Sequence, residues 1–334
     1  MSELKRKAMY YSKLSGKTLK CELCPRYCVL ADAEVGFCRS RQNVSGTMYA
    51  INYGLSVALA LDPIEKKPLY HYYPESRILS LGPNSCNLSC KFCQNYSISQ
   101  YAAPVSEISL QSLRASIEQY TPEALQVAFT YTEPLTWYEY ITDFALAYPE
   151  VRIVLISNGY INKKPLAALL PHISAMNIDL KGMQDSFYNG HCAGHLKPVL
   201  DSIKACAAAG VHLELTFLLI PGLNDSKKDI LAMADFIAEV NPEIALHISA
   251  YHPSFQMTNN ATKIGDVKRA IELVQSKLIN VYGGNLPIMD YMNTQCKKCG
   301  KELISRSYHG TKSRVNAEGK CPVCESRIYG VYDA

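Results

Sequence analysis

The chain has 334 residues, of which 48% are apolar and 19% are charged, and its net charge at pH 7 is +4. These values are typical of a globular protein with one large domain and small additions, and so modest a charge does not predict nucleic-acid binding. No run of about 18 apolar residues indicates a membrane span. The basic start, Met1 to Lys20, lacks the apolar core of a signal peptide. The thirteen cysteines therefore predict metal ligands in a reducing, cytoplasmic compartment instead of disulfides.

Eleven of the thirteen cysteines form three groups along the sequence. Two of them, Cys192 and Cys206, are left over, and we expect Cys206, on an alanine-rich helix, to be a core residue. The three groups are Cys21, Cys24, Cys28 and Cys38, then Cys86, Cys90 and Cys93, then Cys296, Cys299, Cys321 and Cys324. Two complete four-ligand sets therefore flank one incomplete set.

The first group, with C-x2-C-x3-C-x9-C spacing, lies in a predicted cysteine-rich extension over residues 1–75. Four thiolates at this spacing bind either a zinc ion or a second iron–sulfur cluster, and the cysteine count does not separate the two. The polar, proline-rich stretch 52–74 predicts a loop packed against the mouth of the next domain. Within it, Glu65, Lys66 and Lys67 form either a solvated turn or part of the surroundings of the site.

Residues 76–290 form the predicted central domain, in which strand and helix patterns alternate. This alternation predicts a parallel sheet with crossover helices, and six β/α units fit a partial (β/α)6 TIM-like barrel of the α/β class. The predicted strands are 77–82, 126–131, 151–157, 174–180, 211–220 and 244–250. The predicted helices are 107–119, 135–147, 164–171, 197–209, 226–240 and 263–279.

Polar residues follow every one of these strands. Because barrel enzymes carry their chemistry at the carboxyl ends of the strands, we expect one site that all six strand ends share. Each segment taken alone is equally typical of a turn or a helix cap. The segments are the central cysteine loop, then 130–134, 157–159, 179–182, 220–225 and 251–253.

The central loop has C-x3-C-x2-C spacing, with Cys86, Cys90 and Cys93 directly after the first strand. A structural zinc ion requires four ligands and a disulfide framework requires pairs. Three thiolates on a cubane iron–sulfur cluster instead leave one iron free to bind a substrate. The spacing therefore favours an enzymatic cluster over a zinc or redox cysteine site.

With Phe92 directly before the third cysteine, this loop resembles the signature of the radical S-adenosylmethionine (SAM) enzymes. The resemblance implies a [4Fe–4S] cluster on the three cysteines, with the amino and carboxylate groups of SAM on the free iron. It also implies one-electron cleavage of SAM to methionine and a 5′-deoxyadenosyl radical, which abstracts hydrogen from a substrate. The electron donor would be a protein such as ferredoxin or flavodoxin.

The resemblance further assigns SAM contacts to the second and third strand ends. Thr132 and Glu133 resemble the segment that receives the amino group of SAM, although Glu133 departs from the glycine-rich form of that motif. Ser157 and Asn158 resemble the contacts to the ribose.

The last three strand ends complete the implied SAM site. Asp179 and Lys181 resemble the pair that reaches the ribose and carboxylate of SAM in pyruvate formate-lyase activating enzymes. Pro221 and Gly222 resemble the segment behind the adenine, where glycine lets the backbone approach closely. His252 follows the sixth strand and is counted with the cofactor-binding residues.

Strand alternation suggests residues for a substrate cavity. On this basis we predict that His212, Glu214, Thr216 and His247 face the lumen; the alternative is a satisfied internal hydrogen-bond network. A thiol at Cys192, just past the fourth strand, could donate a hydrogen atom to a substrate radical.

The last cysteine group consists of two knuckles, Cys296–Cys299 and Cys321–Cys324, with 21 residues between them. Together they predict a zinc-ribbon-like domain over residues 291–334, with a second electron-transfer cluster as the alternative. The cations between the knuckles, Arg306, Lys312 and Arg314, are expected on a solvated surface, with weak docking of nucleic acid or protein as the alternative.

Several motifs together resemble a narrower family, the radical SAM member of the AmmeMemoRadiSam system, which is related to pyruvate formate-lyase activating enzymes. These motifs are C-x2-C-P-R-x-C, the segments 62–71 and 86–100, and 220–225. The resemblance implies association with Memo-like and AMMECR1-like proteins. Two alternatives remain open: an activase that acts on a glycyl-radical enzyme, and a non-enzymatic zinc-binding adaptor. The substrate, a small molecule or a protein, is not identified by the sequence.

Overall fold

A computed structural model of the chain describes residues 6–286, 291–307 and 310–332. The predicted domain limits at residues 1, 290 and 334 lie outside the described residues. The strands are β1 (Arg6–Lys7), β2 (Tyr11–Lys13), β3 (Leu19–Cys21), β4 (Val29–Leu30), β5 (Arg41–Val44), β6 (Thr47–Ala50), β7 (Leu55–Pro63), β8 (Arg77–Pro83), β9 (Ser106–Glu107), β10 (Gln126–Phe129), β11 (Arg152–Ser157), β12 (Ala175–Asp179), β13 (His212–Leu219), β14 (Ala245–Ala250), β15 (Val281–Gly284), β16 (Thr294–Gln295), β17 (Glu302–Ser307) and β18 (Gly310–Ser313).

The helices mostly fill the gaps between these strands. The α-helices are α1 (Tyr96–Ser99), α2 (Leu110–Tyr120), α3 (Tyr138–Ala147), α4 (Lys163–Leu169), α5 (Asp185–Phe187), α6 (Leu196–Ala208), α7 (Lys227–Val240) and α8 (Ile264–Val274). Short 3₁₀ helices cover Ile64–Lys66, Pro134–Trp137 and Leu170–His172, and a π-helix covers Tyr188–Cys192. None of the helices in the described ranges has the length and apolar character that a membrane crossing requires.

One sheet of nine strands forms the centre of the molecule, in the order β15-β14-β13-β12-β11-β10-β8-β7-β9. The seven strands from β8 to β15 are parallel neighbours, so the six predicted strands are confirmed and β15 adds a seventh. The parallel strands read as nearly continuous apolar runs because both of their faces are covered. Within the described residues the sheet is an open barrel, with β9 and β15 at its edges.

The outer face of the sheet is covered by amphipathic helices, of which α7 is an example. Ser226 caps its first turn by accepting a hydrogen bond from the backbone N–H of Asp229. The buried residues Ile230, Met233 and Ile237 recur at the spacing of one helical face, which packs on the core. Such packing stabilises the helices and fixes the strand ends that they connect.

The stretch 52–74 is not the loop at the barrel mouth that the sequence predicts. It contains β7, whose apolar run lets it pair antiparallel with β8 along the open side of the sheet. The chain then crosses beneath the parallel strands, at their amino ends, which we call the floor. There Ile64, Leu69 and Tyr72 pack with the lumen-facing Ile78 and Val154 in a small apolar core. The floor is therefore closed, and the mouth at the carboxyl ends is the open end.

The N-terminal module, residues 6–50, consists of two three-stranded sheets, β1-β6-β5 and β2-β3-β4. A buried ion pair attaches it to α3: the Arg41 guanidinium donates to both carboxylate oxygens of Glu139, at 2.7 and 2.9 Å. Arg6 also reaches α3, through an exposed pair with Asp143. The module therefore lies beside the second strand-to-helix unit of the barrel.

The C-terminal module, residues 291–332, contains the antiparallel sheet β16-β17-β18 and lies against the floor. The Arg306 guanidinium donates to the carbonyl oxygen of Tyr70 at 2.7 Å and stacks over the Tyr70 ring at 4.0 Å. Backbone hydrogen bonds between Val331 and the floor residues His71 and Tyr73 extend the contact. Arg306 is therefore buried at this contact, whereas the sequence predicted that it lies on a solvated surface.

Candidate active site

The central cysteine loop begins directly after β8, at the mouth of the barrel. A Cβ atom on Gly82 would lie 2.0 Å from the carbonyl oxygen of Thr130, so this close approach of two strand ends requires glycine. The chain then turns into the loop that carries Cys86, Cys90 and Cys93, of which Cys90 is buried and the other two are half-buried. The three predicted cluster ligands therefore lie at the end of the barrel where such folds carry their chemistry.

The π-helix Tyr188–Cys192 holds the middle of the cysteine loop. The backbone N–H groups of Ser89 and Lys91 donate to its last two carbonyl oxygens, at 3.0 and 2.8 Å. The Cys192 side chain is fully buried, and its thiol lies close enough to the thiol of Cys90 to raise the pKa of Cys90. Single π-helical turns are frequent at functional sites. The structure thus places Cys192 beside the predicted cluster ligands, and its role as a hydrogen-atom donor stays a prediction.

Two arginines of the N-terminal module hold the loop from outside, a role that the sequence analysis missed. Arg26 donates to the carbonyl oxygen of Asn87 at 2.5 Å and to that of Ala193. Arg39 donates to the carbonyl oxygens of Gln100, at 2.5 Å, and of the preceding residue. The carbonyl partners of these arginines lie 60 residues or more away in the sequence and so leave no local pattern. The one hint in the sequence was that Arg26 stands between two cysteines.

The surroundings of the three thiols favour their neutral form until a metal binds. Burial raises the pKa of Cys86 and of Cys93, and the neighbouring Cys192 thiol together with burial raises that of Cys90. Such thiols ionise when a metal binds them, because the metal charge stabilises the thiolate. Three sulfur donors on one loop also match a cubane that keeps one iron free.

Glu133, predicted to face the amino group of SAM, joins the ends of β10 and β11 in this structure. One carboxylate oxygen accepts hydrogen bonds from Leu135 N–H at 2.9 Å and from the Ser157 hydroxyl at 2.8 Å. The other accepts from the backbone N–H of Asn158 at 2.8 Å. Burial raises the pKa of Glu133 to about 7 despite these bonds. The carboxylate therefore positions the two strand ends, and a contact with SAM stays a prediction.

The side chain of Asn158 links the third strand end to the cysteine loop. Its amide donates to Asn87 Oδ1 at 2.9 Å and lies 3.7 Å from the sulfur of Cys86. Thr132 donates to the carbonyl oxygen of Pro83 at 2.5 Å and so fastens the second strand end to the start of the loop. The sequence predicted these residues as SAM contacts, and the structure brings them together around the first cysteine.

Asp179 and Lys181 form an ion pair at the fourth strand end, with a distance of 2.9 Å between carboxylate and ammonium. Burial lowers the pKa of Lys181, but Asp179 and the thiols of Cys90 and Cys192 outweigh it and hold this pKa well above its ordinary value. Lys181 is therefore a cation beside the thiols of Cys90 and Cys192. Asp179 keeps 39% of its side chain exposed, so it is open to a bound molecule.

The remaining predicted contacts lie around the mouth. Pro221 is half-buried and Gly222 is exposed, with a positive φ of 76° that favours glycine. His252 is exposed after β14. Phe92 is buried, with its ring centroid 6.0 Å from that of Phe187, so it packs behind the loop. All five strand ends beyond the loop thus contribute residues around it or around the open mouth.

The comparisons with known proteins agree with this arrangement. Residues 82–237 match the model of the Radical SAM superfamily. In an alignment 335 positions long, the chain is 38% identical to the "Uncharacterized protein MJ0808" of Methanocaldococcus jannaschii, and the alignment covers 97% of this chain and 98% of that protein. The chain contains a radical SAM domain.

A solved structure with a TM-score above 0.5 shows the same fold. Streptococcus suis SuiB bound to its precursor peptide SuiA has a TM-score of 0.51 and 14% identity, over 70% of this chain and 54% of that chain. A domain of a pyruvate-formate lyase-activating enzyme from Bacteroides vulgatus has a TM-score of 0.42 and 20% identity, over 48% of this chain and 98% of that domain. Membership of the AmmeMemoRadiSam system stays a prediction.

The predicted substrate residues of this radical SAM barrel separate into two sets. Glu214 is fully buried and accepts hydrogen bonds from the imidazoles of His212 and His247, at 3.0 and 2.6 Å. The backbone N–H groups of Tyr70 and His71 complete its shell, at 3.0 and 2.7 Å. This is the satisfied network that the sequence analysis kept as the alternative. It lies at the floor, away from the cysteine loop at the mouth.

Thr216 is the member of that set that lies nearer the mouth. It is half-buried and donates to Asn177 Oδ1 at 2.9 Å.

The side chain of Lys67 is paired with Asp62. Lys67 donates to Asp62 at 2.7 Å, and the Tyr131 hydroxyl donates to the same carboxylate oxygen at 2.9 Å. Burial raises the pKa of Asp62, but these hydrogen bonds dominate and hold it well below its ordinary value. Lys67 is therefore a buried partner of Asp62, and not part of a solvated turn.

The two four-cysteine sets lie on either side of the radical SAM barrel. In the C-terminal set the four sulfurs all lie within 4.8 Å of one another, a spacing suited to a metal ion. In the N-terminal set three cysteines are buried and Cys28 is half-buried, and all four line a single cavity. Both sets thus converge in space as their spacing predicted, although neither metal is identified by the convergence alone.

Proposed function

We propose that the protein is a radical SAM enzyme in which Cys86, Cys90 and Cys93 hold a [4Fe–4S] cluster. When bound, such a cluster supplies one electron that cleaves SAM to methionine and a 5′-deoxyadenosyl radical, which takes a hydrogen atom from the substrate. The observation that carries the proposal is the presentation of three thiols on one loop at the barrel mouth, within the segment that matches the superfamily.

The surrounding side chains would orient SAM. The Lys181 ammonium suits the carboxylate of SAM, and the half-exposed Asp179 suits ribose hydroxyls. The exposed backbone at Gly222 allows a flat base to approach closely. Glu133 and Asn158 act less directly, because their polar atoms fix the strand ends and the cysteine loop.

The lumen would shelter the substrate from water. Its floor is closed by an apolar core and by the network around Glu214, so a substrate enters through the mouth. Half-exposed side chains that share the lumen face lie between floor and mouth: Ile156, Asp179, Thr216 and Leu218. This mixture of apolar and polar groups supports a substrate that presents a C–H bond next to a polar group.

A second candidate, a protein or peptide substrate, is favoured by aromatic rings beside the cysteine loop. Tyr96 and Phe255 stack with centroids 4.9 Å apart, and Tyr101 packs edge-on against both. Tyr101 and Tyr96 are 54% and 38% exposed. Exposed aromatic groups are enriched at protein interfaces. A glycyl-radical enzyme, or Memo-like and AMMECR1-like partners, are the proteins we would test, with ferredoxin or flavodoxin as the electron donor.

The test of the main proposal measures SAM cleavage. Anaerobically reconstituted protein is reduced with dithionite, given SAM, and assayed for 5′-deoxyadenosine and methionine. We expect Cys86→Ala, Cys90→Ala and Cys93→Ala each to lower the rate at least about 100-fold, because each removes a cluster ligand. Cys206→Ala is the matched control, since this buried thiol contacts Met176 and lies outside the loop.

Two results would overturn the proposal. Cleavage that persists in the Cys86→Ala protein would show that the loop does not hold the reactive cluster. A wild-type protein that takes up zinc and no iron would support the non-enzymatic adaptor instead. A glycine-centred radical on an added partner, detected by electron paramagnetic resonance, would favour the activase over a small-molecule enzyme.

A further inference from the structure

The spacing of the sulfurs separates the two four-cysteine sets. In the C-terminal set, Cys296 and Cys324 have sulfurs 3.5 Å apart, and Cys299 and Cys321 have sulfurs 3.7 Å apart. Four sulfurs at the usual zinc–sulfur distance of about 2.3 Å stand about 3.8 Å apart in a tetrahedron. The C-terminal set therefore already has the dimensions of a single-ion site.

The N-terminal set is wider. Apart from the C-terminal set, no three ligand atoms of cysteine, histidine or acidic residues all lie within 4.8 Å of one another in the part of the chain that the structure describes. The sulfurs of the N-terminal four, and those of the three cysteines in the radical SAM loop, are therefore farther apart than those of the C-terminal set. The cavity that Cys21, Cys24, Cys28 and Cys38 line also admits a water-sized sphere. A single zinc ion draws its sulfurs too close together to leave such a space.

The wall of this cavity contains an unused buried donor. Arg41 lines the cavity, is 1% exposed, and its Nε–H has no hydrogen-bond partner among the described residues. Leaving a buried charged donor unpaired is costly. The bridging sulfides of an iron–sulfur cluster are acceptors that a lone metal ion does not provide, and hydrogen bonds to cluster sulfurs are a usual means of tuning them.

We propose that Cys21, Cys24, Cys28 and Cys38 bind a second iron–sulfur cluster, of the four-iron cubane type. Each thiolate would bind a different iron, which explains why the sulfurs stand farther apart than around one ion. The proposal is independent of the substrate and of SAM cleavage at the first cluster.

The second cluster would be a close neighbour of the first. Asn87 and Thr136 line the N-terminal cavity, and Asn87 directly follows the cluster ligand Cys86. Arg26, which stands between two of the N-terminal cysteines, donates to the carbonyl oxygen of the same Asn87. Thr136 is hydrogen-bonded to Ser85, on the other side of Cys86. Asn87 therefore lies between the N-terminal cavity and the first cluster site.

The test is a metal inventory of the full chain after anaerobic reconstitution with iron and sulfide. We expect the wild type to hold about eight irons, and the triple variant Cys86→Ala/Cys90→Ala/Cys93→Ala to keep about four irons with matching sulfide. Each protein should also hold about one zinc ion, at the C-terminal set. The variant Cys24→Ser should lose about half of the wild-type iron, whereas Cys206→Ser should lose none.

The outcomes separate this proposal from the proposed function. A triple variant with no iron and about two zinc ions per chain would overturn the second cluster and leave the first intact. A triple variant with neither metal at the N-terminal set would overturn it as well. The triple variant keeps all four N-terminal ligands, so the result does not depend on whether Cys24→Ser folds. Iron retained by the triple variant, with no SAM cleavage by the wild type, would support the second cluster and count against the proposed function.

Discussion

The N-terminal and C-terminal modules carry the same number of cysteines but differ in sulfur spacing and in their place on the barrel. The C-terminal sulfurs lie within 4.8 Å of one another and the module covers the floor. The N-terminal sulfurs surround a cavity and share its wall with the cysteine loop at the mouth. The difference teaches that cysteine count predicts a metal site, whereas the distances between the sulfurs indicate what the site holds.

The pKa values of the cysteine thiols also differ between the C-terminal and N-terminal sets. Burial raises the pKa of Cys296, but hydrogen bonds from Ser326 and from the backbone N–H groups of Cys299 and Lys298 lower it to about 6. In the N-terminal set, burial raises the pKa of Cys21 and Cys24. In the C-terminal set, Cys296 and Cys324 therefore favour the thiolate before metal binds. At Cys299 a hydrogen bond from the Lys301 backbone lowers the pKa, but burial and the neighbouring thiols outweigh it and raise this pKa to about 12. Cys21 and Cys24 of the N-terminal set depend on the metal charge to ionise.

The largest expected effect concerns how the N-terminal module is attached. Arg41→Met should lower the free energy of unfolding by about 3–5 kcal/mol, because it leaves the Glu139 carboxylate buried without its cation. Arg6→Met is the matched control, because its partner Asp143 lies on the same helix as Glu139; this pair is exposed and should contribute at most about 1 kcal/mol. Anaerobic denaturant unfolding measures both. Equal losses in the two variants would contradict the prediction.

The second effect concerns the attachment of the C-terminal module and depends on pH. Burial lowers the pKa of His71 to about 4, and its ring contacts the module through the Tyr329 carbonyl oxygen and the Tyr332 hydroxyl. Between the unfolded value of about 6.5 and pH 4, the unfolded chain binds a proton that the folded chain does not. The contribution of His71 to stability should therefore fall by about 3 kcal/mol as pH falls through this window, whereas Glu133, whose pKa burial raises to about 7, contributes with the opposite sign.

Denaturant unfolding between pH 7 and pH 4 checks this, with hydrogen exchange of residues 291–332 reporting on the module. His71→Gln should gain about 3 kcal/mol of stability relative to the wild type between pH 7 and pH 4, because it lacks the His71 contribution, and the exposed His195→Gln should show no such gain. An unaltered slope in the His71 variant would assign the acid sensitivity to other groups.

The smallest expected effect is on zinc affinity, and it is tested by removing the serine hydroxyl group that lies beside each four-cysteine set. Ser326 Oγ lies 3.2 Å from the sulfurs of both Cys296 and Cys324, so Ser326→Ala should weaken zinc binding about 10- to 100-fold. Ser40 Oγ lies 3.0 Å from the Cys38 sulfur, and Ser40→Ala should leave zinc affinity unchanged. Competition with a zinc chelator measures both. Similar weakening in the two variants would mean that both sets hold zinc.

The sequence by itself determined the features that are local along the chain. The C-x3-C-x2-C loop, the six strand-and-helix units and the two flanking cysteine sets all follow from short spacings and from periodicity, and the structure confirms the strands and brings each four-cysteine set together. The polar strand ends were predictable for the same reason, because the carboxyl ends of parallel strands meet at one edge.

Only the tertiary structure decided which of those residues reach the site. Glu214 and His247 have the alternation of lumen residues, yet their position near the amino ends of the strands puts them in the floor. Arg26 and Arg39 hold the cysteine loop from a separate module, and β7 joins the central sheet from a stretch that reads as a loop. These contacts join residues far apart in the chain, and the sulfur distances depend on how whole modules pack, so neither leaves a pattern in the sequence.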